Sequence, residues 1–232
     1  MTQNKIDFIR SQLYFTPDKK MFIRYMNVIL ITSLLGCVYV GLGGIFAVFG
    51  VLQLALLTVT NITVRPLLKN IERVENRLIV TGCVSADGAV LFLTVPFIPG
   101  LWYAGYEKLC FGLLPCFGVF LALFTIADIK ALGCEREKYN KADWKNAIIR
   151  YIFYIATMTA GAIYMVRAED ARNGLIVFLS SFMSLFVFAS FHRAVKSFVA
   201  LHLYRVLKRN ENIPDEVFTE GTGKSKLYIR LR

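Results

Sequence analysis

Val38-Tyr-Val-Gly-Leu-Gly-Gly-Ile-Phe46 lies inside a run from Tyr25 to Val64, 40 residues without one Asp, Glu, Lys, Arg or His. A single helix of that length would measure about 60 Å at 1.5 Å per residue, roughly twice the hydrocarbon thickness of a bilayer. One span would have to tilt steeply or push apolar surface into water. Gly41, Gly43 and Gly44 put three glycines in four positions. The run is therefore expected to be two helices joined by a turn at Gly41–Gly44.

The rest of the chain is organised in the same way. Its 232 residues are 56% hydrophobic and 19% charged, with a formal net charge of +11. A soluble domain carries about a quarter charged residues, mixed along the chain. Here the charges are bunched between long uncharged runs, the layout of a polytopic membrane protein. With lipid as solvent, spanning segments satisfy their backbone groups internally and are expected to be helices. The first twenty residues, with Asp7, Lys19 and Lys20, hold no apolar stretch ending in a small-residue cleavage site. The first span is thus expected to act as an uncleaved anchor.

The fold class expected is all-α, with about six transmembrane helices near 22–41, 44–63, 79–99, 109–128, 147–166 and 174–192. Residues 1–21 form an N-terminal segment and 193–232 a basic amphipathic helix with a polar tail. Leu109–Ala127 gives 19 uncharged residues and Asn173–His192 gives 20. The fifth span is shorter, with Arg150 expected to snorkel to the interface. The third is interrupted by Asp87 and followed by Pro96, Pro99 and Gly100, and Arg77–Thr81 alone would suit a short strand.

Charge asymmetry tests the count. With six spans, one side holds 24 Lys and Arg: 5 at the N-terminus up to Arg24, 4 in 65–77, 6 in 129–150 and 9 from Arg193 onward. The other side holds 3: none in the glycine turn, 1 in 100–108 and 2 in 167–173. Cytoplasmic loops carry the basic excess, so both termini are expected to be cytoplasmic. Removing the third span places 65–77 and 129–150 on opposite sides and destroys the asymmetry. Trp102, Tyr103 and Tyr106 fall at the expected outer boundary, and Trp144 and Tyr151 at the inner one, where amphipathic rings settle.

Two amphipathic segments are expected on the cytoplasmic side. In Arg65–Leu78, Leu67, Leu68, Ile71 and Val74 recur at helical spacing among charges, as in a short helix lying at the membrane surface. In Arg193–Arg209, Val195, Phe198, Val199, His202, Leu203, Val206 and Leu207 make one face. That helix either extends the sixth span or bends onto the membrane. Arg193, Lys196, Arg205, Lys208 and Arg209 are its candidate contacts to anionic lipid headgroups, with a partner protein the alternative. The last seven residues, Lys226–Arg232, alternate enough to add a strand to a partner.

Asp87 is the candidate intramembrane polar site, since a carboxylate at span depth costs several kcal/mol. The competing reading starts the helix near Gly88, where Gly88–Tyr106 is uncharged, and makes Asp87 an interfacial cap. Asp128 reads more simply as interfacial. Gly221-Thr-Gly-Lys-Ser225 resembles the end of a phosphate loop, but Phe218 stands where its first glycine belongs. Asn61-Ile-Thr63 matches a glycosylation acceptor but falls at the cytoplasmic end of a span.

The five cysteines form no Cys-x-x-Cys pair and read as reduced packing residues. With His192 and His202 the only histidines, no catalytic triad, metal site or cofactor site is expected, and the chain is not expected to be an enzyme. The leading functional reading is a non-catalytic, multi-pass subunit that scaffolds or stabilises a larger membrane assembly, with a lipid-handling assembly as its extension. The alternatives are a small transporter or oligomeric channel using Asp87, and a membrane-shaping hairpin protein. Expected partners are the bilayer, through anionic headgroups on the cytoplasmic face, and other integral membrane proteins, with no nucleic acid. The membrane would be the endoplasmic reticulum or another endomembrane in a eukaryote, or the inner membrane in a bacterium.

Overall fold

The computed structural model describes residues 2–13, 44–93 and 107–219, with Gly105 and single positions between 20 and 31. Every regular element among them is helical. The elements are α1 (Thr2–Leu13), α2 (Gly44–Leu67), α3 (Val74–Phe92), α4 (Glu107–Leu132), α5 (Arg136–Arg167), α6 (Ala171–Glu211) and α7 (Asp215–Thr219). Stretches within α4, α5 and α6 are long and apolar enough to cross a membrane. The Gly41–Gly44 turn up to Gly43, most of the first span, the end of the third and the last thirteen residues lie outside the described residues.

α6 sets the frame. Asp170 caps it, its carboxylate accepting from the Arg172 backbone N–H at 2.9 Å. Asn212, in the left-handed region at φ 48°, ends it, and Pro214 follows. Its 41 residues make a rod of about 60 Å. A bilayer's hydrocarbon core is about 30 Å thick, so α6 is about twice as long as one crossing needs. The basic stretch from Arg193 to Arg209 thus continues the apolar half as one helix that ends at Glu211.

Three contacts fix how α3 lies on α6. Phe92 packs on Phe186 with ring centroids 5.3 Å apart. The Phe198 ring stands against Gly82, where an added Cβ would come within 2.9 Å of it. Arg205 Nε donates to Glu75 at 2.8 Å. The helices are therefore antiparallel, and Asp87, midway between Gly82 and Phe92, falls at the level of His192.

α1 was not foreseen as a packed element. Ile6, Ile9 and Leu13 recur at helical spacing and are buried, together with Phe8 and the polar Asn4 and Gln12. They meet Val74, Leu78, Leu132, Leu201, Tyr204, Leu207 and Phe218 in one core. Asn4 Nδ2 donates to the Cys134 carbonyl at 2.7 Å, Arg77 Nη2 to the Leu13 carbonyl at 2.8 Å, and Arg10 Nε to the Val217 carbonyl at 2.9 Å. The start of the chain, the start of α3, the α4–α5 turn, the end of α6 and α7 thus form one basal bundle.

Several sequence expectations change. Arg65–Leu78 is not one surface helix. α2 runs through Pro66, a 3-10 turn follows at Leu68–Asn70, and the chain reverses into α3. Pro66 has no N–H for the carbonyl four residues back, which favours tightening and termination there. Val74 and Leu78 face the bundle core rather than a membrane. Arg77–Thr81 is helical, since the α3 face it belongs to packs on α2 and the bundle. Ile79, which opens the expected third span, also packs on that core. The covered face of the basic half of α6 is Ala194, Ser197, Ala200, Leu201, Tyr204 and Leu207. Of the seven residues assigned to its apolar face, Leu207 alone is buried, and Phe198 is 43% exposed. Ala200, Leu201, Tyr204 and Leu207 of that face pack with α1 and α3 residues in the basal core.

Candidate functional site

The densest polar arrangement among the described residues surrounds Asp128, at the base of α4. This carboxylate ends the uncharged run of α4, and α5 and α6 bring donors to the same level. Arg150 Nη1 lies 2.9 Å from Oδ2 and 3.2 Å from Oδ1. Asn146 Nδ2 donates to Oδ1 at 3.1 Å. Lys196 Nζ and His192 Nε2 each stand 3.2 Å from Oδ2. The imidazole nitrogen is at ion-pair distance but off the line that a hydrogen bond needs. Asn146 and Arg150 are one turn apart on α5, and His192 and Lys196 one turn apart on α6, so each helix presents a matched pair.

The surroundings strengthen these contacts. One turn away, Phe124 packs edge to face on Phe153 and Phe188, and those two rings lie tilted on each other, with centroids 5.3–6.3 Å apart. Phe188 also stacks on His192. On the bundle side, Lys196 Nζ lies 5.4 Å from the Phe8 ring centroid. The Asp128 side chain is 5% exposed, Arg150 15% and Lys196 18%. One carboxylate therefore meets two permanent cations where water is largely excluded, and charge attraction is far stronger there than in bulk water. Chemically this is a clamp. The carboxylate is taken up by α5 and α6 donors, and it ties three helices at one level. Arg150 points into this cluster, which is why it does not snorkel.

Asp87 occupies the same level in a different condition. It lies in the interior of α3, fully buried, and the helix is unbroken across it. It is therefore not a cap, and the helix does not begin near Gly88. Neither carboxylate oxygen has a hydrogen-bond partner among the described residues. Gln53 of α2, 1% exposed, is likewise without partners at both amide atoms. A buried polar group without a hydrogen bond costs several kcal/mol, so Asp87 is an energetic liability of the kind that functional sites carry.

The candidate headgroup contacts divide. Lys196 is in the clamp, Arg205 pairs with Glu75, and Lys208 Nζ lies 2.7 Å from Asp215. Arg193 is half-buried and engaged within the chain, and Arg209 is exposed. Tyr204 also donates to Asp215 at 2.9 Å, so α7 is held to α6 by a short polar triad. Burial pushes the Asp215 carboxyl up, but the hydrogen bonds from Lys208 and Tyr204 outweigh it and hold the group below its usual range. The bonds that Lys208 Nζ donates to Asp215 and to the Tyr204 hydroxyl push its ammonium up.

Sequence reasoning passed over Asp128 and Phe8. A usable signal existed for the first: the span scheme itself sets Asp128, Arg150 and His192 at one boundary. Comparison with known proteins adds nothing to this geometry: no family model, curated protein or solved structure matches the chain.

Proposed function

We propose that this chain is a non-catalytic, multi-pass membrane subunit that scaffolds or stabilises a larger membrane assembly. The observation carrying this reading is the Asp128 clamp, which spends its carboxylate on holding α4, α5 and α6 together. The arrangement has six spans with both termini cytoplasmic. In its support, α1, the α4–α5 turn and the end of α6 share one bundle, as the 24-to-3 division of basic residues requires. The third span is the one expected near 79–99, and its Asp87 lies level with His192 of α6. α5 fits an outer position, with Tyr151, Ile152 and Ile155 exposed for lipid or a neighbouring subunit. Purification in mild detergent tests the role. Copurification with at least one other membrane protein is expected, whereas a monomer with full flux activity in vesicles would contradict it.

A second reading, a small transporter or oligomeric channel, is favoured by the buried carboxylate of Asp87, which has no hydrogen-bond partner among the described residues. Asp87→Asn separates the two. Loss of flux with intact assembly supports the transporter. Unchanged flux supports the subunit.

A further inference from the structure

A cavity of about 540 Å³ opens beside the cytoplasmic end of α2, between that helix and Asn27 of the preceding segment. Its wall on this side is a stripe of Leu57, Thr58, Asn61, Ile62, Arg65 and Pro66 from α2 and Lys69 from the 3-10 turn that follows. Leu57 reaches the cavity from the edge of the face that packs on α3 with Val64 and Leu68. The stripe changes chemistry along its length. Leu57 and Ile62 are apolar, Asn61 and Asn27 offer amide donors, and Arg65 and Lys69 are cations. Arg65 is the first charge after the uncharged run, so the cavity straddles the level where that run leaves the hydrocarbon.

We infer that this cavity binds an anionic phospholipid, with the phosphate held between Arg65 and Lys69 and the start of an acyl chain lying along Ile62 and Leu57. Charge complementarity is the first reason. Among the described residues neither cation pairs with a carboxylate, unlike Lys196, Arg205 and Lys208 on α6. Spacing is the second. Arg65 near the end of α2 and Lys69 in the following 3-10 turn line the same cavity, so a guanidinium and an ammonium are both within reach of one phosphate. Depth is the third: a phosphodiester sits at the interface, and the apolar half of the stripe continues toward the membrane centre. The amide groups of Asn61 and Asn27 face the glycerol and headgroup oxygens. The site rests on the membrane reading but not on the subunit role, and it is measured on the isolated chain.

The test is native mass spectrometry of the full chain in detergent, titrated with phosphatidylglycerol, phosphatidylcholine or free glycerol 3-phosphate. Phosphatidylglycerol should bind as one retained copy, well above phosphatidylcholine. Arg65→Gln with Lys69→Gln should weaken it about 30-fold, from two lost interfacial cations. Arg209→Gln, which removes an exposed cation elsewhere, should leave it unchanged. Ile62→Trp, at a site 70% exposed, should narrow the cavity and weaken binding with both cations present. It serves as the independent variant if the double substitution does not fold. Equal loss with Arg209→Gln would show diffuse attraction and overturn the site. Glycerol 3-phosphate binding as tightly as the lipid would overturn the lipid assignment, and so would wild-type binding by both cavity variants.

Discussion

Asp128→Asn keeps the shape of the clamp and removes its negative charge. Arg150 and Lys196 then face each other across a neutral amide, at 15% and 18% exposure. Removing one partner of a buried pair costs about 3–5 kcal/mol, because the other charge stays desolvated. Both cations keep some access to the boundary, so the lower end, about 3 kcal/mol, applies. For a chain of this size about 1 kcal/mol moves Tm by roughly 2–4 °C, so a fall of about 6–12 °C is expected. Thermal unfolding of the purified protein in detergent, followed by light scattering or intrinsic fluorescence, reads it. Asp215→Asn is the control, because its partner Lys208 is 51% exposed and exposed pairs contribute about 1 kcal/mol or less. Adding Lys196→Met to Asp128→Asn should recover part of the loss by removing a stranded cation. A Tm within about 2 °C of wild type for Asp128→Asn would refute the clamp.

Gly161→Ala should lower Tm by an amount equivalent to about 1–3 kcal/mol, since the new Cβ would stand 2.8 Å from Ser181 Cβ and Oγ where α5 crosses α6. Ile9→Ala, at a fully buried site in the basal core, should cost about 2–5 kcal/mol and raise hydrogen exchange in α1 and α7 together. The Asp215 lock should fail in acid. Its carboxyl is held below the unfolded value, so its stabilisation is complete above about pH 4 and is lost as pH falls through the folded value. Limited proteolysis between α6 and α7 should therefore accelerate at low pH in wild type, and at all pH values in Asp215→Asn.

The parts of the fold that follow from solvent preference were legible in the sequence. The uncharged runs ending at Asp128 and His192 located α4 and the upper half of α6, because lipid exposure forbids charge there. Contacts that join distant segments were not. Asp128 meets its partners only when α5 and α6 fold back beside α4, and no local pattern near Asp128 records that. α1 hid for a related reason: Asn4 and Gln12 read as surface residues, yet they are buried on the α6–α3 groove. The covered face of lower α6 includes Ala194, Ser197 and Ala200, which the apolar pattern passed over, because α1 and α3 pack on that side. Asp87 was singled out as a question by its charge alone. Its position inside an unbroken α3 required the packing of Phe198 on Gly82 and of Phe92 on Phe186 to be seen.

The six-span arrangement with a cytoplasmic basal bundle is tested most directly by cysteine labelling of intact vesicles. The starting protein is a variant with Cys37, Cys83, Cys110, Cys116 and Cys134 replaced. Single cysteines at Asn70, Asn140 and Asn210 should resist a membrane-impermeant maleimide until the membrane is opened, while those at Gly43, Ala104 and Ala171 should react at once. Labelling of Asn140 from outside, with Asn70 protected, would put two strands of the bundle on opposite faces and contradict the account.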